Sequence, residues 1–113
     1  MGQTTRRTPL VIVAILTPHS GSMEVFRAYE TKAARILARY GGVIERTVVE
    51  EASKPEKPIR EVHVVTFPDL EAFDSYRADP DLAFLAAMRV ASIAHTELLL
   101  GHDGPDYMSL CKA

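Results

Sequence analysis

Between Glu61 and Ala94 the chain reads as strand, turn, short helix, second turn, longer helix, and this order restricts the fold more than any other stretch. Val62, Val64, Val65 and Phe67 make a β-branched and aromatic run of strand length. Pro68-Asp69 ends it, because proline has no amide hydrogen for the ladder and Asp69 can cap a helix whose first turn holds Glu71. A second start signal follows at Asp79-Pro80-Asp81, an N-cap ahead of proline at the first helical position. From Leu82 to Ala94 the only charge is Arg89, so the longer helix is expected to be mostly apolar.

The rest of the chain supplies partners for this segment. The run from Leu10 to Leu16 is apolar at every position and reads as a first strand. Arg6 and Arg7 ahead of it imitate a signal peptide, but the run is short and no small-residue cleavage site follows it. Pro18-His19-Ser20-Gly21 forms a loop, with Ser20, Gly21 or Ser22 as cap of a helix reaching about Tyr40. Phe26, Tyr29, Ala33, Leu37 and Tyr40 recur at helical spacing and define its buried face. Gly41-Gly42 stops that helix. A strand over about 43–50 carries Glu45 and Arg46 against its apolar pattern, which suits a sheet edge. Residues 51–60, with Lys54, Pro55, Lys57 and Pro58, read as a solvated hairpin loop, and the last strand is expected over about 96–100. One domain is expected, with a core over about 10–101 and tails at 1–8 and 103–113.

The order β-α-β-β-α-β, with right-handed crossovers, sets both helical layers on one face of a four-stranded antiparallel sheet: an α+β, ferredoxin-like fold. A sheet covered on one face should alternate apolar with polar residues. Neither the first strand nor Leu98-Leu99-Leu100 does so, and a second copy of the sheet is the simplest cover, which makes a homodimer the expectation. In 113 residues with a net charge of −2 there is no electrostatic footprint for nucleic acid or an anionic membrane surface. No stretch approaches transmembrane length. The one cysteine, Cys111, leaves no internal disulfide and no cysteine metal site, and fits the cytoplasm. The four histidines, His19, His63, His95 and His102, show no paired spacing and no acid at ligand distance, so neither metal nor cofactor is expected.

An antiparallel pairing of first and last strands brings His19 near His95, a two-histidine candidate to set against two independent loop or strand-end histidines. Arg89 is costly if buried without a partner. Either its helix face reaches solvent, or it pairs with Glu61 or Glu97, or it lines a polar pocket that holds a ligand anion. Phe73, Tyr76, Phe84 and Met88 read as core rather than as a cofactor box.

Tyr40-Gly41-Gly42 after the first helix and Phe67-Pro68-Asp69-Leu70-Glu71-Ala72 after the third strand, followed by Tyr76, Asp79-Pro80, Arg89 and a strand closing at Gly101, resemble the domain-of-unknown-function 1330 family of the dimeric α/β-barrel superfamily. The likeness runs from about Leu10 to Gly101; the charged loop at 51–60 and the C-terminal tail depart from it. It implies a homodimer with back-to-back sheets and a cavity between sheet and helices. By superfamily analogy it implies a cofactor-independent enzyme of oxygenase, isomerase or lyase type. Arg89 would then position a small anionic or aromatic ligand, and His19 or His95 would serve as acid or base. Tyr29 and Tyr40 would add hydroxyls, although their helical phase places them in the core first. The alternative is a non-catalytic dimeric module that binds a small ligand or another protein, with an apolar pocket that lacks convergent polar groups.

Overall fold

The computed structural model describes residues 8–110 without 53, 55 and 56. Along these the chain runs β1 (Leu10–Pro18), α1 (Met23–Arg39), β2 (Val43–Val49), β3 (Glu61–Phe67), α2 (Leu70–Arg77), α3 (Pro80–Ala83), α4 (Ala86–Ser92), β4 (Ile93–Gly101) and α5 (Tyr107–Leu110). The sheet is antiparallel throughout, in the order β2-β3-β1-β4, which is the ferredoxin-like arrangement expected. Among the described residues no helix is long and apolar enough to cross a membrane.

Local chemistry accounts for most boundaries. Asp69 Oδ1 accepts the Ala72 N–H at 2.8 Å and Asp79 Oδ1 accepts the Asp81 N–H at 2.7 Å, so both expected caps form. Gly41 ends α1 with a φ of +74°, and a side chain at Gly42 would collide with Leu37 and Phe67. β2 lies at an edge, as Glu45 and Arg46 indicate, and its ladder slips between Ile44 and Arg46. At the base of the β2–β3 connection Arg60 forks onto Glu50, with Nε donating to Oε1 at 3.1 Å and Nη2 to Oε2 at 2.8 Å. That hydrogen bonding holds the Glu50 carboxyl down to about 2. The expectation of a solvated loop at 51–60 falls partly on residues 53, 55 and 56, outside those described.

Two boundaries differ from expectation. A turn at Phe84-Leu85 divides the longer helix into α3 and α4, and the strand starts at Ile93 rather than Thr96. The Ser92 carbonyl accepts the His19 N–H at 2.8 Å, so the chain has already joined the sheet where the apolar pattern still reads as helix. The polar tail also turns once more, with Asp106 Oδ1 accepting the Ser109 N–H at 3.2 Å in α5.

The helix-facing side of the sheet carries Leu10, Ile12, Ala14 and Leu16 of β1, set against Phe67, Val65, His63 and Glu61 of β3. Two apolar clusters form there. One gathers Leu10, Ile12, Leu37, Val65, Phe67 and Phe73, and the other Leu16, Phe26, Tyr29, Ala33 and Ile93. Neither includes Ala14 or His63, the pair that lies between them, so the core is divided at that row.

The end of α1 is tied to the start of α3 through Asp79. The Tyr40 hydroxyl donates to Asp79 Oδ2 at 2.5 Å, and Arg39 Nη1 bridges Asp79 at 3.2 Å and Asp81 at 2.7 Å. The Tyr40 hydrogen bond, helped by the Asp81 N–H and Arg39, holds the Asp79 carboxyl below its ordinary range. A lowered folded-state value means that this stabilisation is present above the ordinary carboxyl pKa and is lost as pH falls through the folded one. Urea melts between about pH 5 and about pH 2 are therefore expected to show a smaller acid-induced loss for Asp79→Asn than for the unmodified chain. Equal losses would assign the acid sensitivity elsewhere.

Candidate functional site

The site lies where the core divides. Ala14 is the short residue between Ile12 and Leu16 on β1, and Ala33 and Ala34 stand on α1. With longer side chains missing at these places, a cavity of about 280 Å³ remains between the sheet and the helices. One end of it is apolar and aromatic. There Phe67 lies 5.4 Å from Phe73 and 5.6 Å from Tyr76, ring centre to ring centre.

The other end is polar, and three elements build it. Glu61 and His63 are two residues apart on β3, so the strand period turns both toward the helices. Both are buried, at 7% and 6% exposure. His63 Nε2 and Glu61 Oε2 share a hydrogen bond of 2.6 Å. With the ring N–H donating to Glu61, Nδ1 is the basic nitrogen, and it lies 3.6 Å from Glu30 Oε2 of α1. Burial pushes the Glu30 carboxyl above its ordinary range; the charge of Glu61 adds to this, while His63 and Arg89 oppose it. Glu30, His63 and Arg89 line the cavity, whereas Glu61 stands behind the imidazole.

Arg89 arrives from α4, and its Nη2 donates to Thr96 Oγ1 of β4 at 3.0 Å. Among the described residues no carboxylate lies within ion-pair distance of it. Arg89 is half-buried, lines the cavity, and is paired with neither Glu61 nor Glu97. Tyr29 and Tyr76 line the same space. The Tyr76 hydroxyl is pushed up by burial, with Tyr29 and Glu30 adding to the effect.

The remaining expected residues lie elsewhere. His95 pairs with Thr17, on the sheet face turned away from the helices, and is exposed. His19 is exposed in the loop after β1 and does not line the cavity. The two strand ends do meet, yet strand phase turns His95 to the open face and His19 stays in the exposed loop, so neither lines the cavity with Arg89. Tyr40 is also outside, because its hydroxyl is committed to Asp79.

Sequence reasoning missed Glu30, Glu61 and His63. The signal was Glu61-Val62-His63 itself: at strand spacing Glu61 and His63 share a face with Val65 and Phe67, so an acid does stand beside a histidine there. Glu30 falls on the stripe that continues through Ala33, Ala34 and Leu37, the inner edge of α1. Among the described residues no group of three or more His, Cys, Asp or Glu side chains is disposed to hold a metal ion. The arrangement can instead accept a proton from a bound molecule at His63 or Glu30 and place a guanidinium beside the resulting anion.

No protein-family model and no curated protein matches the sequence. Solved structures share the fold at low identity. RPA0582 of Rhodopseudomonas palustris, a protein of unknown function, is 16% identical, over 88% of this chain and 85% of that one, with a TM-score of 0.74. SnoaB of Streptomyces nogalater, a cofactor-independent oxygenase, is 21% identical over 87% and 95%, with a TM-score of 0.67. A dimeric protein of unknown function and ferredoxin-like fold from Bacteroides fragilis is 10% identical over 84% and 96%, with a TM-score of 0.61.

Proposed function

We propose that the cavity binds a small molecule and exchanges a proton with it, making the protein a cofactor-independent enzyme that works as a homodimer. The observation that carries this reading is the buried His63, held between Glu61 and Glu30 at the wall of a cavity that Arg89 also lines. Glu61 orients the imidazole, Glu30 and His63 accept and return the proton, and Arg89 with Thr96 holds the developing oxyanion. Two carboxyl groups whose surroundings differ, one hydrogen-bonded behind the ring and one facing the cavity, are suited to separate acid and base duties. Isomerase and lyase types need such a transfer, and an oxygenase type, as SnoaB is, can start from the same deprotonated substrate. A non-catalytic module called for an apolar pocket without convergent polar groups; Glu30, His63, Arg89 and Thr96 converge, which favours the enzyme. Placement in the domain-of-unknown-function 1330 family rests on the sequence blocks at Tyr40-Gly41-Gly42 and Phe67 to Ala72, and a cytoplasmic location on the lone Cys111.

The homodimer is supported by the helix-free face of the sheet. Val11, Val13 and Ile15 of β1 share it with Val62 and Val64 of β3, and Val48 of β2 and Leu99 of β4 extend it, 45% and 63% exposed. The Bacteroides fragilis neighbour is described as dimeric. The two sheets would meet across this face.

Deuterium uptake from heavy water at the acidic carbon of 2-tetralone, followed by NMR, tests the acid–base reading. The unmodified protein is expected to accelerate exchange, and Glu30→Gln and His63→Gln each to reduce that acceleration by about 100-fold or more. Exchange no faster than buffer, or variants equal to the unmodified protein, would refute it. Light scattering at micromolar concentration is expected to give a dimer mass, and Val13→Glu, a charge on the open face, a monomer or an unfolded chain. A monomer mass for the unmodified chain would rule out the dimer.

A further inference from the structure

We infer that Ala14 and Ala33 set the size of the molecule the cavity admits, and that this molecule is an organic oxyanion with a compact apolar body, seated head-first on Arg89 and Thr96. The inference rests on the acid–base reading for the place of the head and goes beyond it in naming the ligand class.

Packing alone favours a longer side chain at position 14. The helix-facing side of β1 reads Leu10, Ile12, Ala14, Leu16, and alanine is both depleted in strands and too short to join the two clusters beside it. Ala14 and Ala33 are nonetheless buried, at 8% and 4% exposure. Unfilled volume between well-packed clusters costs stability in proportion to its size. A ligand that occupies the volume explains why two short residues line the same gap.

Charge sets the orientation. Arg89 is partly buried, and among the described residues its side chain donates to a neutral hydroxyl and has no ion-pair partner. An anionic head supplies the direct ion pair that Arg89 does not make with a side chain among the described residues. From the Leu16–Thr96 row the cavity passes Ala14 and Leu98 to the Ile12–Leu100 row, four residues along β1, a span of about 13 Å at strand rise. Beyond that lie the rings of Phe67 and Phe73. That span suits a body of one or two rings. The oxyanion could be a carboxylate or an ionised hydroxyl, and the probes separate these.

Calorimetric titrations with 2-naphthoate, 2-naphthol and the neutral isostere 2-naphthamide test the inference. The unmodified protein is expected to bind 2-naphthoate or 2-naphthol at least tenfold more tightly than the amide, and whichever is tighter identifies the head. Arg89→Met should remove that preference. Ala14→Leu should weaken the bicyclic probe at least tenfold without lowering the melting temperature, while benzoate loses less. Should that variant fail to fold, Ala14→Val is expected to show the same order of losses, smaller in size. Equal affinity of the amide and both oxyanion probes, or undiminished binding of the preferred oxyanion probe in a folded Ala14 variant, overturns the inference. Absent oxyanion binding with persistent 2-tetralone exchange overturns the ligand class alone. Oxyanion binding without exchange leaves the ligand class standing and refutes the acid–base reading.

Discussion

A carboxylate–imidazole hydrogen bond occupies the place where this core would otherwise be continuous. Glu61 and His63 point at the helices because β3 is in the phase that also buries Val65 and Phe67. A slip of one residue would put Val62 and Val64 inside and release both polar groups to the open face. The polar pair is thus held inward by the two apolar residues next along the same strand. Removing polar groups from water costs free energy, and a 2.6 Å hydrogen bond offsets only part of that. The clusters on either side supply the difference. Phe26 and Phe67, the deepest members of the two, are each worth about 1.5–3 kcal/mol of burial.

The cavity follows from the same division. The two clusters flank Ala14 and the His63 ring, and helix α1 crosses above with Ala33, Ala34 and Glu30. Ala14 lies between the clusters, and the volume there is bounded by ionisable groups at one end and by rings at the other. Asp79 plays a different part at the far end of α1. It accepts hydrogen bonds from Tyr40, Arg39 and the Asp81 amide, which anchors α3 and so sets the path of the chain toward α4 and Arg89.

The order of the elements, and with it the ferredoxin-like sheet, could be read from the sequence together with the local signals at their ends. The caps at Asp69 and Asp79, the glycine stop after α1 and the edge character of β2 depend on neighbouring residues, and all stand in the structure. Arg89 stood out for a similar reason, as a lone charge in an apolar helix. The start of β4 was hidden because it depends on the His19 amide reaching Ser92 across the sheet. The site was legible only in part. A search for pairs of histidines passes over Glu61 and His63, whose relation appears once strand phase is applied to unlike residues. Glu30 could not be assigned without knowing that α1 lies over His63, a contact between elements more than thirty residues apart. The antiparallel pairing sets His95 opposite Thr17, close to the loop of His19, but side-chain phase, not backbone proximity, decides which groups share a cavity.

The central claim is that the polar row is kept for chemistry and not for stability. Replacing a buried charged cluster by apolar residues of similar volume is often neutral or stabilising, whereas a structural cluster would be missed. The most direct measurement is the urea midpoint of the triple variant Glu30→Leu, Glu61→Leu, His63→Phe, taken beside its rate of 2-tetralone exchange. A midpoint equal to or above that of the unmodified protein, with exchange at the buffer rate, is the predicted result. A midpoint well below it would place Glu30, Glu61 and His63 in the scaffold and contradict the account.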